Sequence, residues 1–203
     1  LDLCEFLEGK NIPYKVVDPR HLKLSMGFVK GKNDKVDSQR IAYYAYLHRE
    51  EKVYSKISSK TIMTLRELEN ERKHIVTAMA RNKAFFTEYK KSRFMNKQIL
   101  KREETEFAQH EVRLKECEKQ MHDLIVSDDK LFSNYKLILS VKGIGKVNAI
   151  NTIVNTDNFT LFHNARQYAS YLGIAPFGRN SGTSVHGRTH VQPGNKIAKA
   201  DLS

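Results

Sequence analysis

The chain has 203 residues, 40% of them hydrophobic, and carries 35 Lys and Arg against 23 Asp and Glu for a net charge of +12. That is enough apolar material for one good domain or two small ones, yet no apolar stretch approaches the roughly 20 residues that span a bilayer. A membrane-spanning role is excluded, no secretory leader is visible, and the expected compartment is the cytoplasm. A net positive charge of this size favours a polyanionic partner through steering and counterion release, with nucleic acid ahead of a membrane surface.

The opening LDLCEFLEGKNIPYKVVDP reads as the end of a helix, a stop at Gly9, and a short strand from Tyr14 to Val17 closed by Asp18 and Pro19. A lone strand is not stable in water, so partner strands are expected upstream of Leu1, and both ends of the chain read as cut from a longer polypeptide. Residues 21–35 are polar and basic, with Gly27 and Gly31, and read as a loop. Asp34 or Asp37 then opens a helix that runs to about His48.

From Ser58 to about Arg93 the positions Leu65, Leu68, Arg72, Ile75, Met79, Asn82, Phe86 and Tyr89 follow alternating steps of three and four, which is a heptad seam. A second run takes Leu100, Phe107, Leu114 and Met121 at steps of seven, with Cys117 and Leu124 in the other seam position and Glu103 and His110 as polar members. Each run spans about 30 residues, or roughly 45 Å of helix. These features predict an arm, either folded back as a hairpin or continuous, whose polar seam residues set register or oligomer state. The apolar stripe predicts self-association. Cys4 and Cys117 lack a nearby second cysteine, so neither a zinc clip nor a disulfide framework is indicated.

After VSDDKLF the chain changes character. In VKGIGKVNAI, Gly143 and Gly145 permit a tight turn that lets backbone N–H groups at a helix start approach a phosphate, and Lys142 and Lys146 flank it, the pattern of a helix-hairpin-helix. In NSG, Ser181 lies in a polar stretch bordered by Arg179, His186, Arg188 and His190, where a hydroxyl held among cations suits attack on a phosphate. The alternative is a polar turn. Asp34 and Asp37 stand at i and i+3, so both carboxylates share one helix face and could bridge Mg²⁺; capping or dipole pairing is the competing local reading.

The order of these pieces resembles the DEDD-type transposases of bacterial insertion sequences, understood as bridge-RNA-guided recombinases. KNDKVDSQRIA is similar to the DxxD that closes that family's acidic tetrad, and VKGIGKVNAINTI, FHNARQYASYLGIAPF and NSG are similar to successive landmarks of its C-terminal domain. The resemblance covers most of the chain from Leu3 onward. Lys142 stands where the family commonly has Pro, and GNKIAKADL is less arginine-rich than the usual ending.

The resemblance implies an α/β RuvC-like part over 1–57, a coiled-coil helical arm over 58–130, and a small, mainly helical transposase domain over 131–203. It further implies that Asp34 and Asp37 are the third and fourth metal-binding carboxylates of a Mg²⁺ site, with an Asp and a Glu upstream, and that Ser181 is the nucleophile that attacks DNA. The expected partners are DNA, a guide (bridge) RNA and further copies of the chain, in a bacterial nucleoid-associated setting. Lys142, Gly143, Gly145, Lys146, Arg179 and Arg188 are the expected nucleic-acid contacts. The rival reading is a non-catalytic nucleic-acid-binding protein with a coiled-coil arm, in which DxxD is a cap and NSG a turn.

Overall fold

The computed structural model describes residues 2–25, 33–51, 54–92, 94, 96–181, 185–191, 194–195 and 198–199. The chain divides into two compact units, residues 1–57 and 58–203. In the first, α1 (Asp2–Gly9), α2 (Pro19–Ser25) and α3 (Asp34–Leu47) are joined by irregular chain. After α1 the chain reverses through Asn11 in the left-handed region, φ 53°, with Ile12 N donating to Leu7 O. The expected strand at Tyr14–Val17 does not form. Its residues run without regular structure beside Ser55, whose N donates to Tyr14 O at 2.9 Å while Val16 N donates to the Ser55 hydroxyl at 2.8 Å. One backbone bond is not a ladder, and the β-branched residues that suggested a strand have no neighbouring strand to pair with among the described residues.

The first unit is therefore helical among the described residues, in place of the α/β arrangement expected there. Its fastenings are polar. The Glu8 carboxylate accepts from Tyr14 Oη at 2.8 Å and from Ile57 N at 2.7 Å, and Glu51 accepts from Lys15 Nζ at 2.6 Å and pairs with His48. Tyr44 is its one large apolar side chain buried among the described residues, and its hydroxyl meets His21 Nδ1 at 3.2 Å.

The second unit begins with α4 (Lys60–Tyr89) and α5 (Lys97–Val126), two helices of 30 residues that fold back on each other. Ser59 caps α4 and Asn96 caps α5, each accepting a backbone N–H of the first turn. Cys117 Sγ donates to Leu68 O at 3.2 Å, Arg72 Nε to Glu118 at 2.8 Å and Arg113 to Glu71 at 3.2 Å, which sets an antiparallel register. The arm is thus an intramolecular helical hairpin, and part of its stripe is covered from within the chain. Leu65, Leu68, Ile75, Cys117, Met121 and Ile125 are buried, in one cluster with Leu131, Tyr135, Ile138, Ala149 and Ile153 of the following helices.

Those helices are α6 (Asp129–Leu139), α7 (Lys146–Thr156) and α8 (Ala165–Leu172). Arg66 of α4 donates to Val154 O at 3.2 Å, satisfying a carbonyl in the last turn of α7. α7 ends in Asp157, Asn158 and Phe159, all at positive φ, with Asn158 Oδ1 accepting from Asn134. The tail carries a structure that sequence reading did not anticipate: β1 (Pro176–Ser181) pairs antiparallel with β2 (Val185–Val191). The base of this hairpin is clamped. A Cβ at Gly194 would overlap the backbone of Leu172 and Gly173, and Asn195 next to it donates from its backbone N to Tyr171 O at 2.8 Å and from its amide to the Tyr171 hydroxyl at 2.6 Å.

Candidate active site and nucleic-acid interface

Asp34 and Asp37 fall in the first turn of α3, on one face as the i, i+3 spacing requires. The cap is neither of them. Asn33, with extended backbone, accepts from Lys35 N at 3.0 Å, so the capping function that competed for the aspartates is discharged one residue earlier. That frees Asp34 from a cap bond; Asp37 accepts from Arg40 Nη1 at 3.3 Å while remaining about half exposed. Asn directly before a first-turn Asp was the available signal for the cap, and Arg40 at i+3 the signal for the ion pair. Two carboxylates alone do not hold a divalent ion tightly, and no group of three His, Cys, Asp or Glu able to do so occurs among the described residues. The first unit therefore does not fit a complete metal centre on its own.

In the second unit, α6 and α7 flank the VKGIG turn, where the helix-hairpin-helix was expected. Gly143 sits at φ 95°, where an L side chain is strained, so this position needs glycine for its backbone. Gly145 is the N-cap of α7 and makes no side-chain cap bond, which leaves N–H groups of the first turn without a side-chain acceptor at the cap. Lys142, Gly143, Gly145 and Lys146 are all exposed, and nothing lies within 4 Å of where a Cβ would stand on either glycine. Open space, free donors, helix dipole and two cations make a surface that an anion can reach.

Ser181 is the last residue of β1, and its backbone pairs with Val185 across a connection, residues 182–184, that lies outside the described residues together with Gly182 and Ser184. Asn180 pairs with His186 and Arg179 with Gly187, after an irregularity between Phe177 and Arg179. Arg188 and His190 lie on β2, His190 opposite Phe177. The stretch read as a polar loop is thus a hairpin that carries Ser181 at its end, with Arg179 and His186 within two register steps.

Comparison with known proteins places these landmarks in a family. Residues 1–89 match the model of IS110-type DEDD transposases, described as a transposase, and residues 135–202 match the Transposase IS116/IS110/IS902 family. A curated relative, an uncharacterized 43.6 kDa protein of insertion element IS110 from Streptomyces coelicolor, is 36% identical over 63 residues, 31% of this chain. The matched stretch spans 16% of that relative's length. With both matches in chain order and the helical hairpin between their centres, this chain belongs to the IS110 family of transposases.

Proposed function

We propose that this chain is part of a recombinase that cuts and rejoins DNA through a serine-linked intermediate, probed by RNA-guided target choice. The observation that carries the reading is the pair of family matches, one over DxxD and one over VKGIG and NSG. The first unit would be the closing part of a RuvC-like domain. Its α3 leaves Ile41, Tyr43, Tyr46 and Leu47 exposed, an apolar surface suited to cover by a sheet. Asp34 and Asp37 would supply two of four carboxylates for Mg²⁺, the others coming from elsewhere in the whole protein. Such an ion would lower the charge on the scissile phosphate.

In the proposed step the Ser181 oxygen bonds to phosphorus as the bond to the leaving sugar oxygen breaks; the serine proton is given up and the departing oxygen gains one. The phosphodiester is exchanged for a phosphoserine ester, so the strand can be rejoined to another end without an external energy source. Arg179 and Arg188 would clamp the phosphate, and His186 would carry the proton. Lys142 and Lys146, with the α7 N-terminus, would bind DNA backbone away from the reacting centre. Further copies of the chain, and a bridge RNA, would complete the synapse.

The test is adduct formation by the whole protein with labelled target DNA in Mg²⁺. Ser181→Ala is expected to bind DNA and form no covalent adduct, while Ser184→Ala still forms one. An adduct that survives Ser181→Ala, or that maps to another residue by peptide mass spectrometry, overturns the assignment. Asp34→Asn and Asp37→Asn are expected to abolish cleavage with the fold intact, because Asn33 and not either aspartate caps α3.

A further inference from the structure

The buried seam of the hairpin ends at Ile75 on α4 and at Cys117 on α5, well short of the turn that joins the helices. Beyond that point only half-buried residues, Met79 and Leu114, pack against the core, and farther out the composition changes. Between residues 81 and 102 the sequence has eight Lys and Arg against the single Glu88, whereas residues 103–126 hold seven acidic residues against three basic. A cationic end on a neutral-to-acidic stem is a directed charge distribution, not the mixed surface of a helix that merely needs solubility.

Aromatic rings are interleaved with these cations. Phe94, in the connection between the helices, is 87% exposed, and Phe85 is 42% exposed and stacked on Tyr89 at 5.1 Å with 16° between planes. Lys90 Nζ lies 5.5 Å from the Phe86 ring. The turn is ordered from inside: the Tyr89 hydroxyl accepts from Asn96 N at 3.1 Å, and Phe94 N donates to the Ser92 hydroxyl at 3.3 Å. The exposed Phe94 ring, close in sequence to Lys90, Lys91 and Lys97, is open to a stacking partner.

We propose that this distal end is a binding surface for unpaired DNA, the lysines tracking the backbone and Phe94 stacking on a base. Duplex would need only the cations, because its bases already stack on one another; an exposed ring gains a partner only where a base is unstacked. A second copy of the same tip would bring like charge against like charge. The choice of DNA rests on the reading of the chain as part of a DNA recombinase, whose cut and exchanged strands are transiently single. No residue here belongs to the proposed catalytic set.

The experiment is equilibrium binding of the full chain to labelled oligothymidylate, the matching duplex and oligouridylate, followed by fluorescence anisotropy. Phe94→Ala, fully solvent-facing and so without effect on folding by circular dichroism, is expected to weaken oligothymidylate binding about tenfold while leaving duplex affinity within about twofold, and Phe94→Tyr to restore it. Reversing Lys90, Lys91 and Lys97 to Glu is expected to weaken the single strand and flatten its salt dependence by about 0.7 in log–log slope per lost contact. Unchanged oligothymidylate affinity in Phe94→Ala overturns the proposal, as does an equal loss on duplex, tighter binding of oligouridylate than oligothymidylate, or a charge reversal that alters only the sedimentation of the chain. Because this measurement involves no strand cutting, it can fail while the Ser181 adduct persists, and the reverse.

Discussion

Among the described residues, the first unit buries a single large side chain, Tyr44, whereas the base of the hairpin with α6 and α7 packs Leu65, Met121, Ile125, Leu131 and Ile153 almost completely out of solvent. The one is fastened by carboxylates at its surface and the other by apolar contact. Polar fastenings are oriented but weak in water, and their strength depends on protonation; apolar burial is insensitive to pH and large in total. The two regions should therefore answer to different perturbations.

The largest expected effect breaks the apolar side. Leu65→Ala, at 0% exposure, is expected to lower the stability of the second unit by about 2–5 kcal/mol in denaturant titration, without disturbing amide protection in residues 2–51. A loss of protection in both units would mean that they unfold as one. Next comes the VKGIG turn, where backbone and not burial is at stake. Gly143→Ala is expected to cost about 1–2 kcal/mol because φ is 95°, while Gly145→Ser, with open space around it and no cap bond to lose, is expected to stabilise by a few tenths of a kcal/mol. Equal costs at both positions would deny the left-handed turn.

The smallest effect belongs to the first unit. The bond from Lys15, and then His48, pulls the Glu51 carboxyl down to about 2, and the bond from Ile57 N, then Tyr14, holds Glu8 below the usual carboxylate range. A folded pKa lower than the unfolded one stabilises above the unfolded value and is lost as pH falls through the folded one. Protection of the Ile57 amide, which bonds to Glu8, relative to its intrinsic exchange should accordingly fall as pH drops below about 4.5, and the protection of the packed amides of α7 should not follow. A matching fall in α7 would erase the contrast. At the other end of the scale the Tyr14 hydroxyl, pushed up to about 12 by desolvation and by Glu8, should remain protonated through ordinary alkaline titration.

Legibility in the sequence follows the range of the interactions. The two long helices were readable because a heptad seam repeats the same local message over eight turns, and the helix from Asp34 and the glycine turn at 143–145 were readable because cap and turn chemistry is local. The fold-back was not readable, since SRFMNK carries neither Gly nor Pro, and the clasp that makes the turn, Tyr89 with Asn96, spans it. The segment Tyr14–Val17 misled because β-branched residues report a preference and not a partner. The β1–β2 hairpin was missed for the opposite reason: its Gly-, Ser- and Asn-containing sequence reads as a turn, and its pairing is what makes it a strand. Of the candidate site, the residue types were visible, but the exemption of Asp34 and Asp37 from capping required seeing Asn33 take that role.

The contact of Gly194 with Leu172 and Gly173 brings the chain before β1 and after β2 together where no side chain fits. Closing a loop costs entropy that grows only as the logarithm of its length, about 0.6 kcal/mol for each doubling, while a single methyl group at Gly194 has no space at all. Loop length is thus a soft variable, and the Gly194 contact cannot be altered by one carbon atom. A graft of this hairpin onto another scaffold would therefore need to transfer the contact of Gly194 with Leu172 and Gly173 before anything at the tip.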